Sequence, residues 1–450
     1  MRELTRHPNA SLKEILVLSL PLILTLISGS LMNLCDRAFL SRYSFIACEG
    51  CVSASFLLLL FQAPSVRIAS IAQVFVGQKN GAGQPEIIGR HIWQMIWFSL
   101  LTSIVITPVG LITGYYYFSD TVVAVPATTY FNCLLLCNFL FPLAATLSAF
   151  FIGLGRTSFI VWATIFAQLI NIPLNYFLLF STPLGVLGVA LGTAFSQVIL
   201  CGILLFDFLS KKNQLYFGTA SYQFDPKLFW EIFKVGLPSA LGKLIYSMSW
   251  AVMGQIMMRK GGTHLAALTT GSTAILLFCF IYDGFGKTIV TVSSHLLGAN
   301  KGKLIPGMIK SALSVPCIIS VILTIPFLFY PELFFSLFKL KPSYEEYEVL
   351  SSALIWIWFF SFSYALNSIT SSVLTAFKDT LFYMIMSCLS WIDCLFLFFV
   401  MNTLQWSGDK MWMMMAISGL VISGMQFLRI RSKLLAEQSG EKLKAENTLV

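Results

Sequence analysis

ILVLSLPLILTLISGSLMNLCD, residues 15–36, decides the fold. The stretch carries no charge from Ile15 to Cys35 and ends on Asp36. A helix crossing a bilayer needs about 20 mostly apolar residues. Pro21 lies inside it, as membrane helices allow when neighbouring groups satisfy the freed carbonyl. Reading outward, twelve such stretches can be counted, near 15–36, 52–76, 92–118, 128–152, 159–181, 186–209, 232–256, 271–296, 311–331, 349–376, 380–401 and 411–430. The whole chain is 57% hydrophobic and 11% charged, against about 25% charged in a soluble domain. An all-α integral membrane protein follows.

The net charge of +9 does not signal nucleic acid, because Lys and Arg gather in the short breaks between apolar runs. One set of breaks holds Arg2, Arg6, Lys13, Lys79, Arg90, Arg156, Lys211, Lys212, Lys227, Lys234, Lys301, Lys303, Lys310 and Lys378, with the tail from Arg429. The other holds Arg42, Arg259, Lys260, Lys339, Lys341 and Lys410. The richer side is expected to be cytoplasmic, with both termini there. Ten cysteines are spread through apolar runs and read as small hydrophobes. Cys48 and Cys51 are close enough in sequence to raise a disulfide, but nothing completes a metal site. The first apolar run is too long for the core of a cleaved signal peptide.

The chain repeats itself. Leu20-Pro21 recurs 217 residues later as Leu237-Pro238. The same offset carries Ser30 to Ser247, Arg42 to Arg259, and Gly81-Ala82 to Gly298-Ala299. Arg156-Thr157 matches Asp379-Thr380 at offset 223. The expected organisation is an N-terminal six-helix lobe (1–209), a cytoplasmic linker (210–230), a C-terminal six-helix lobe (231–433) and a charged, disordered tail (434–450). Parallel repeats of this kind are a transporter plan, with a central cavity between pseudo-symmetric bundles.

Charge inside a span costs roughly 2.5–3.5 kcal/mol on insertion scales, so it marks function by default. Asp36, Arg37, Arg67, Lys243, Asp283, Lys287 and Asp393 are such residues. Asp36 reads either as the ion partner of Arg37 or Arg67, or as a carboxylate that binds a proton or sodium. Asp283 and Lys287 lie at i and i+4, facing one way, with Lys243 at a comparable depth. They read as a charged cluster or as a neutralised structural pair. Asp393 has no assignable partner. Asn171 and Asn175 are also i and i+4, with Pro173 between them freeing a carbonyl. With Thr193 they offer oxygens to a hard cation, or polar glue between helices. No phosphate-binding G-x-x-x-x-G-K-[ST] loop occurs, and no nucleophile–base pair or metal triad of an enzyme. No cofactor is expected, and any transport must run on a gradient.

These residues in this order resemble the multidrug and toxic compound extrusion (MATE) family, over nearly the whole chain. The likeness rests on Leu20-Pro21 followed by Asp36 and on Val76-Gly77-Gln78-Lys79-Asn80-Gly81-Ala82-Gly83. It continues in Gly153-Leu154-Gly155-Arg156-Thr157, Asn171-Ile172-Pro173-Leu174-Asn175-Tyr176 and Gly185-Val186-Leu187-Gly188-Val189-Ala190. Gly236-Leu237-Pro238 and Ser294-His295-Leu296-Leu297-Gly298-Ala299-Asn300 repeat the first two. The resemblance implies an antiporter in which protons or sodium enter, an organic substrate leaves, and two lobes alternate. It implies cation coupling at Asp36, with Asn171, Asn175 and Thr193 as partners and sodium at Asp36 as the only metal to consider.

The chain departs from the family pattern. Asn175 stands where many relatives carry Asp, Arg37 stands where a small or polar residue is usual, and no acid is evident in the seventh span. Arg67, Lys243 and Lys287 make the interior basic, with Arg37, Asp283 and Asp393 the remaining cavity candidates. A basic cavity suits an anionic substrate. The alternative expectation is therefore a flippase for an anionic lipid-linked precursor, and a third is a receptor or scaffold that transports nothing. The chain is expected in the cell membrane, as a monomer. Substrate identity and the choice between proton and sodium stay open.

Overall fold

The computed structural model describes residues 3–119, 121–338 and 342–447. Arg2, Lys339, Lys341 and the last three residues of the tail lie outside them. The described residues form helices and turns, without strands. The first part of the chain gives α1 (Leu12–Tyr43), α2 (Phe45–Ser70), α3 (Ala72–Gly81), α4 (Ile88–Phe118), α5 (Ala124–Leu136), α6 (Leu140–Gly153), α7 (Thr157–Phe180), α8 (Val186–Phe208) and α9 (Lys211–Phe217). The rest gives α10 (Pro226–Lys260), α11 (Gly262–Ile275), α12 (Cys279–Gly298), α13 (Ile305–Thr324), α14 (Pro331–Leu337), α15 (Tyr344–Ala376), α16 (Thr380–Thr403) and α17 (Lys410–Asn447).

Nine helical segments among the described residues are long and apolar enough to cross a membrane. Two bent pairs, α5 with α6 at 45° and α11 with α12 at 50°, bring the number to eleven. The twelfth span is α10, whose 35 residues carry Lys243 and several hydroxyls and are less apolar than the others. With α10 counted, the described residues supply the twelve long helical segments expected, three of them less regular or less apolar than the sequence suggests. At Leu276–Phe278 the eighth span breaks, while its counterpart in the first half runs on through that position. The repeat is therefore approximate in backbone as well as in sequence.

Two compact units form, Met1–Leu4 with Val17–Leu241, and Thr5–Leu16 with Gly242–Val450. The first has a core of Leu57, Phe118, Phe131, Leu135, Leu179 and Val189. The second packs around Trp412, which is fully buried and donates its indole N–H to the Ala267 carbonyl at 3.1 Å. Gly271 permits this packing, because a Cβ there would fall 2.0 Å from the Trp412 ring.

The segment between Lys211 and Phe229 is tied down. The indoles of Trp93 and Trp97 donate to the carbonyls of Thr219 (2.8 Å) and Tyr222 (2.9 Å). Gln94 donates to Gln223 and accepts from the Asp225 amide. Asp225 then accepts from the Lys227 and Leu228 amides, capping α10 at its start. At the other end, α17 extends helically to Asn447, into the tail where charge composition led us to expect disorder. All ten cysteines are free thiols, Cys48 and Cys51 included.

Candidate ion-coupling site

The first unit buries a polar chain. Asp36, from α1, is 7% exposed, and Asn171 and Asn175, one turn apart on α7, are fully buried. Asn175 Nδ2 donates to Asp36 Oδ1 at 2.7 Å and to Asn171 Oδ1 at 3.1 Å. Asn171 Nδ2 donates to the hydroxyl of Ser196 on α8 at 3.1 Å, and Ser196 donates to the Thr193 carbonyl at 2.9 Å. The Thr193 hydroxyl itself turns back to the Val189 carbonyl. Three of the four expected residues thus have their side chains joined in one hydrogen-bonded chain. Thr193 borders it through its backbone, and Ser196 supplies the link. Ser196 carried no signal in the sequence beyond lying three residues after Thr193.

Two features of this chain point to more than glue. Asn175 Oδ1 is buried without a hydrogen-bond partner, and such atoms call for an explanation. Asp36 forms no ion pair among the described residues. Arg37, its neighbour in sequence, is exposed, and Arg67 donates Nε to the Ser239 hydroxyl at 2.9 Å. The arginine partnership that would make Asp36 structural is not formed. The site is packed tightly on one side by Gly192 of α8, where a Cβ would lie 1.8 Å from Asn175 Oδ1.

The charged candidates of the second unit are spread out. Tyr364 donates its hydroxyl to Asp283 Oδ1 at 2.8 Å. Lys243 lies over the Tyr246 ring at 5.7 Å and forms no ion pair with Asp283 among the described residues. Lys287 is exposed on α12. The cluster of Lys243, Asp283 and Lys287 suggested by spacing does not assemble around Lys243, because its side chain follows its own helix toward Tyr246. Asp393 finds a setting that sequence could not assign. It lines a small cavity of about 30 Å³ with Tyr246, Ser249, Asn367, Ser390 and Ser418. The rest of the wall is largely apolar, but the volume is enough for one water, and the buried Asn367 Oδ1 has no partner of its own.

The repeat carries an ion pair with its signs exchanged. In the first half Arg156 Nη2 meets Asp207 Oδ2 at 2.9 Å. In the second, Asp379 Oδ2 meets Arg429 Nε at 2.8 Å and Lys433 Nζ at 3.1 Å. Burial works against the Asp379 charge, but the hydrogen bonds from Arg429 and Lys433 outweigh it and hold its pKa below the ordinary carboxylate value. A depressed carboxyl adds stability above its unfolded pKa and loses it as pH falls through the folded one. Asp379→Asn should therefore cost about 1 kcal/mol near neutrality, after allowance for the exposed arginine. The mutant's thermal midpoint should also depend less on acidification than that of the wild type. Parallel pH curves for both proteins would refute this.

Fold and site together define a polytopic α-helical membrane protein with a buried carboxylate in its first half that forms no ion pair among the described residues. The MatE family profile matches residues 21–177 and again 238–401, starting at the same 217-residue offset as the Leu-Pro repeat. The chain belongs to the MatE family, whose members are transporters and not enzymes. Among its relatives is a Thermotoga maritima protein called "Probable multidrug resistance protein NorM". It is 23% identical over 399 residues, covering 86% of this chain and 85% of the relative. A solved structure described as "Outward-facing conformation of a multidrug resistance MATE family transporter of the MOP superfamily" superposes with a TM-score of 0.81. It is 18% identical and covers 96% of this chain and 98% of the other. A MOP superfamily transporter from Pyrococcus furiosus, described as having a binding pocket of reverse polarity that suggests a different function, gives a TM-score of 0.80. That protein is 20% identical, over 96% of this chain and 97% of its own.

Proposed function

We propose that this chain is a cation-coupled exporter of an organic substrate, working as a monomer in the cell membrane with both termini cytoplasmic. Protons or sodium move inward at Asp36, and alternating access carries the substrate outward. The observation that carries this reading is the buried Asp36 carboxylate, which is hydrogen-bonded to Asn175 and paired with no cation among the described residues. An ionised carboxylate only accepts hydrogen bonds, so it takes the Asn175 amide N–H; a protonated one must donate. Asn175 Oδ1, which lacks a partner, is the acceptor that a flipped amide would offer to a protonated Asp36. The same oxygens, with Asn171 Oδ1, are hard ligands of the kind sodium takes. The relatives named for multidrug resistance support an organic substrate. The test uses proteoliposomes: adding substrate should drive counter-movement of protons or sodium, read by a pH dye or by radiosodium. Substrate movement with neither ion moving would end the antiport reading.

The flippase reading has one observation in its favour. Arg37, Arg67 and Lys243 form no ion pairs among the described residues. Uncompensated cations favour an anionic substrate. Arg67→Gln with Lys243→Gln should then reduce transport of an anionic substrate at least tenfold, the scale of one charge-assisted hydrogen bond, and spare bulky cations. Equal loss for both substrate classes would remove the second reading.

A further inference from the structure

The first unit holds an apolar groove that the transport reading does not use. It lies between α2, α4 and the start of α10, with a volume of about 470 Å³. That falls within the range of pockets that take small ligands. Its walls are Leu60, Phe61, Ile68, Leu101, Val105 and Phe233, among others. The only hydroxyls in it are satisfied inside their own helices. Ser65 donates to the Phe61 and Gln62 carbonyls, and Thr102 to the Ser99 carbonyl. Neither hydroxyl is left to donate to a ligand and the remaining walls are apolar, apart from the Trp230 indole at one end, which suits a hydrocarbon occupant.

One end of the groove is different. Trp230 lines both the groove and an adjoining open hollow, whose other walls are Pro226, Lys227, Glu231 and Lys234. Lys227 and Lys234 are seven residues apart, two turns of one helix, and both are exposed. Neither forms an ion pair among the described residues. Glu231 is the one acid of the hollow, and Asp225 beside it is engaged with Arg90 at 3.2 Å. Two ammonium groups against one carboxylate leave the hollow with a net positive charge. Trp230 sits at the junction, as tryptophan does where hydrocarbon meets headgroup. Trp93 and Tyr222 pack edge-on beside the same segment, 6.3 Å apart.

We propose that this composite surface binds one anionic phospholipid, with an acyl chain in the groove and its phosphate over Lys227 and Lys234. A dry slot continuous with a basic hollow matches the two ends of such a molecule and no soluble anion. The proposal stands apart from the transport reading, since none of these residues belongs to the Asp36 chain.

The test places a photo-crosslinking benzoylphenylalanine at Leu101 of the full chain. The protein is reconstituted in equimolar phosphatidylglycerol and phosphatidylcholine, and the attached lipid is identified by mass. Phosphatidylglycerol should be enriched about fivefold, the ratio expected from one net basic charge at a membrane surface. Lys227→Gln with Lys234→Gln should bring the ratio to about one while total lipid attachment persists, which shows that the groove is intact. Equal attachment of both lipids to the unmutated surface overturns the proposal. So does a ratio unaffected by the lysine changes, or loss of the enrichment on adding soluble glycerol phosphate, which would show that the headgroup alone is recognised.

Discussion

Asp36→Asn should fold and insert as the wild type does, and it should lose gradient-driven transport completely. Asparagine keeps the shape and can still accept the Asn175 N–H that lies 2.7 Å from Asp36 Oδ1. No arginine or lysine would be left unpaired, because none pairs with Asp36 among the described residues. Removing one partner of a buried ion pair costs about 3–5 kcal/mol. Neutralising a lone buried carboxylate costs nothing of that kind, and it relieves a desolvation penalty. The thermal midpoint should therefore stay level or rise. Coupling should vanish, because an ion whose affinity does not differ between two states cannot bias them. Substrate binding without ion movement should remain. A mutant that fails to fold would restore the ion-pair account of Asp36.

Gly192→Ala should be as damaging to transport, although helix propensity argues the other way. Alanine in place of a mid-helix glycine is worth about 1 kcal/mol in the helix. Here the new Cβ would stand 1.8 Å from Asn175 Oδ1, with the Asn175 Cα only 3.6 Å away. The amide must therefore swing aside, and Asp36 loses the Asn175 donor. A hydrogen bond to a charged group is worth about 1.5–3 kcal/mol, so ion affinity should shift by roughly ten- to a hundredfold. Ion-concentration dependence of transport measures it, with thermal stability as the control. An unchanged half-saturating ion concentration would show that Asn175 does not serve Asp36.

The sequence was most informative where one residue type fixes the outcome. Runs of apolar residues placed the spans, and the Leu-Pro repeat gave the offset at which the family match also recurs. Asn171 and Asn175 share a face by helical spacing alone, and the structure places both against α8 and α1. What spacing could not show was which of several hydroxyls completes the chain. The sequence singled out Thr193, and only packing brings the Ser196 hydroxyl to the Asn171 amide while the Thr193 hydroxyl turns to a backbone carbonyl. The exchanged ion pairs were half visible. Arg156 and Asp379 align at one offset, but Asp207 and Arg429 lie about fifty residues further on, and nothing local announces them. Lys243 misled for a physical reason. A long side chain on a helix can reach along its own surface, and depth in sequence says little about its partner.

Ion release at Asp36 on substrate binding is the most direct measure of the central claim. Purified protein in weak buffer, with a pH indicator or bound radiosodium, is given saturating substrate. The wild type should release a proton or sodium ion, and Asp36→Asn, binding the same substrate, should release none. Equal release from both proteins would contradict that claim.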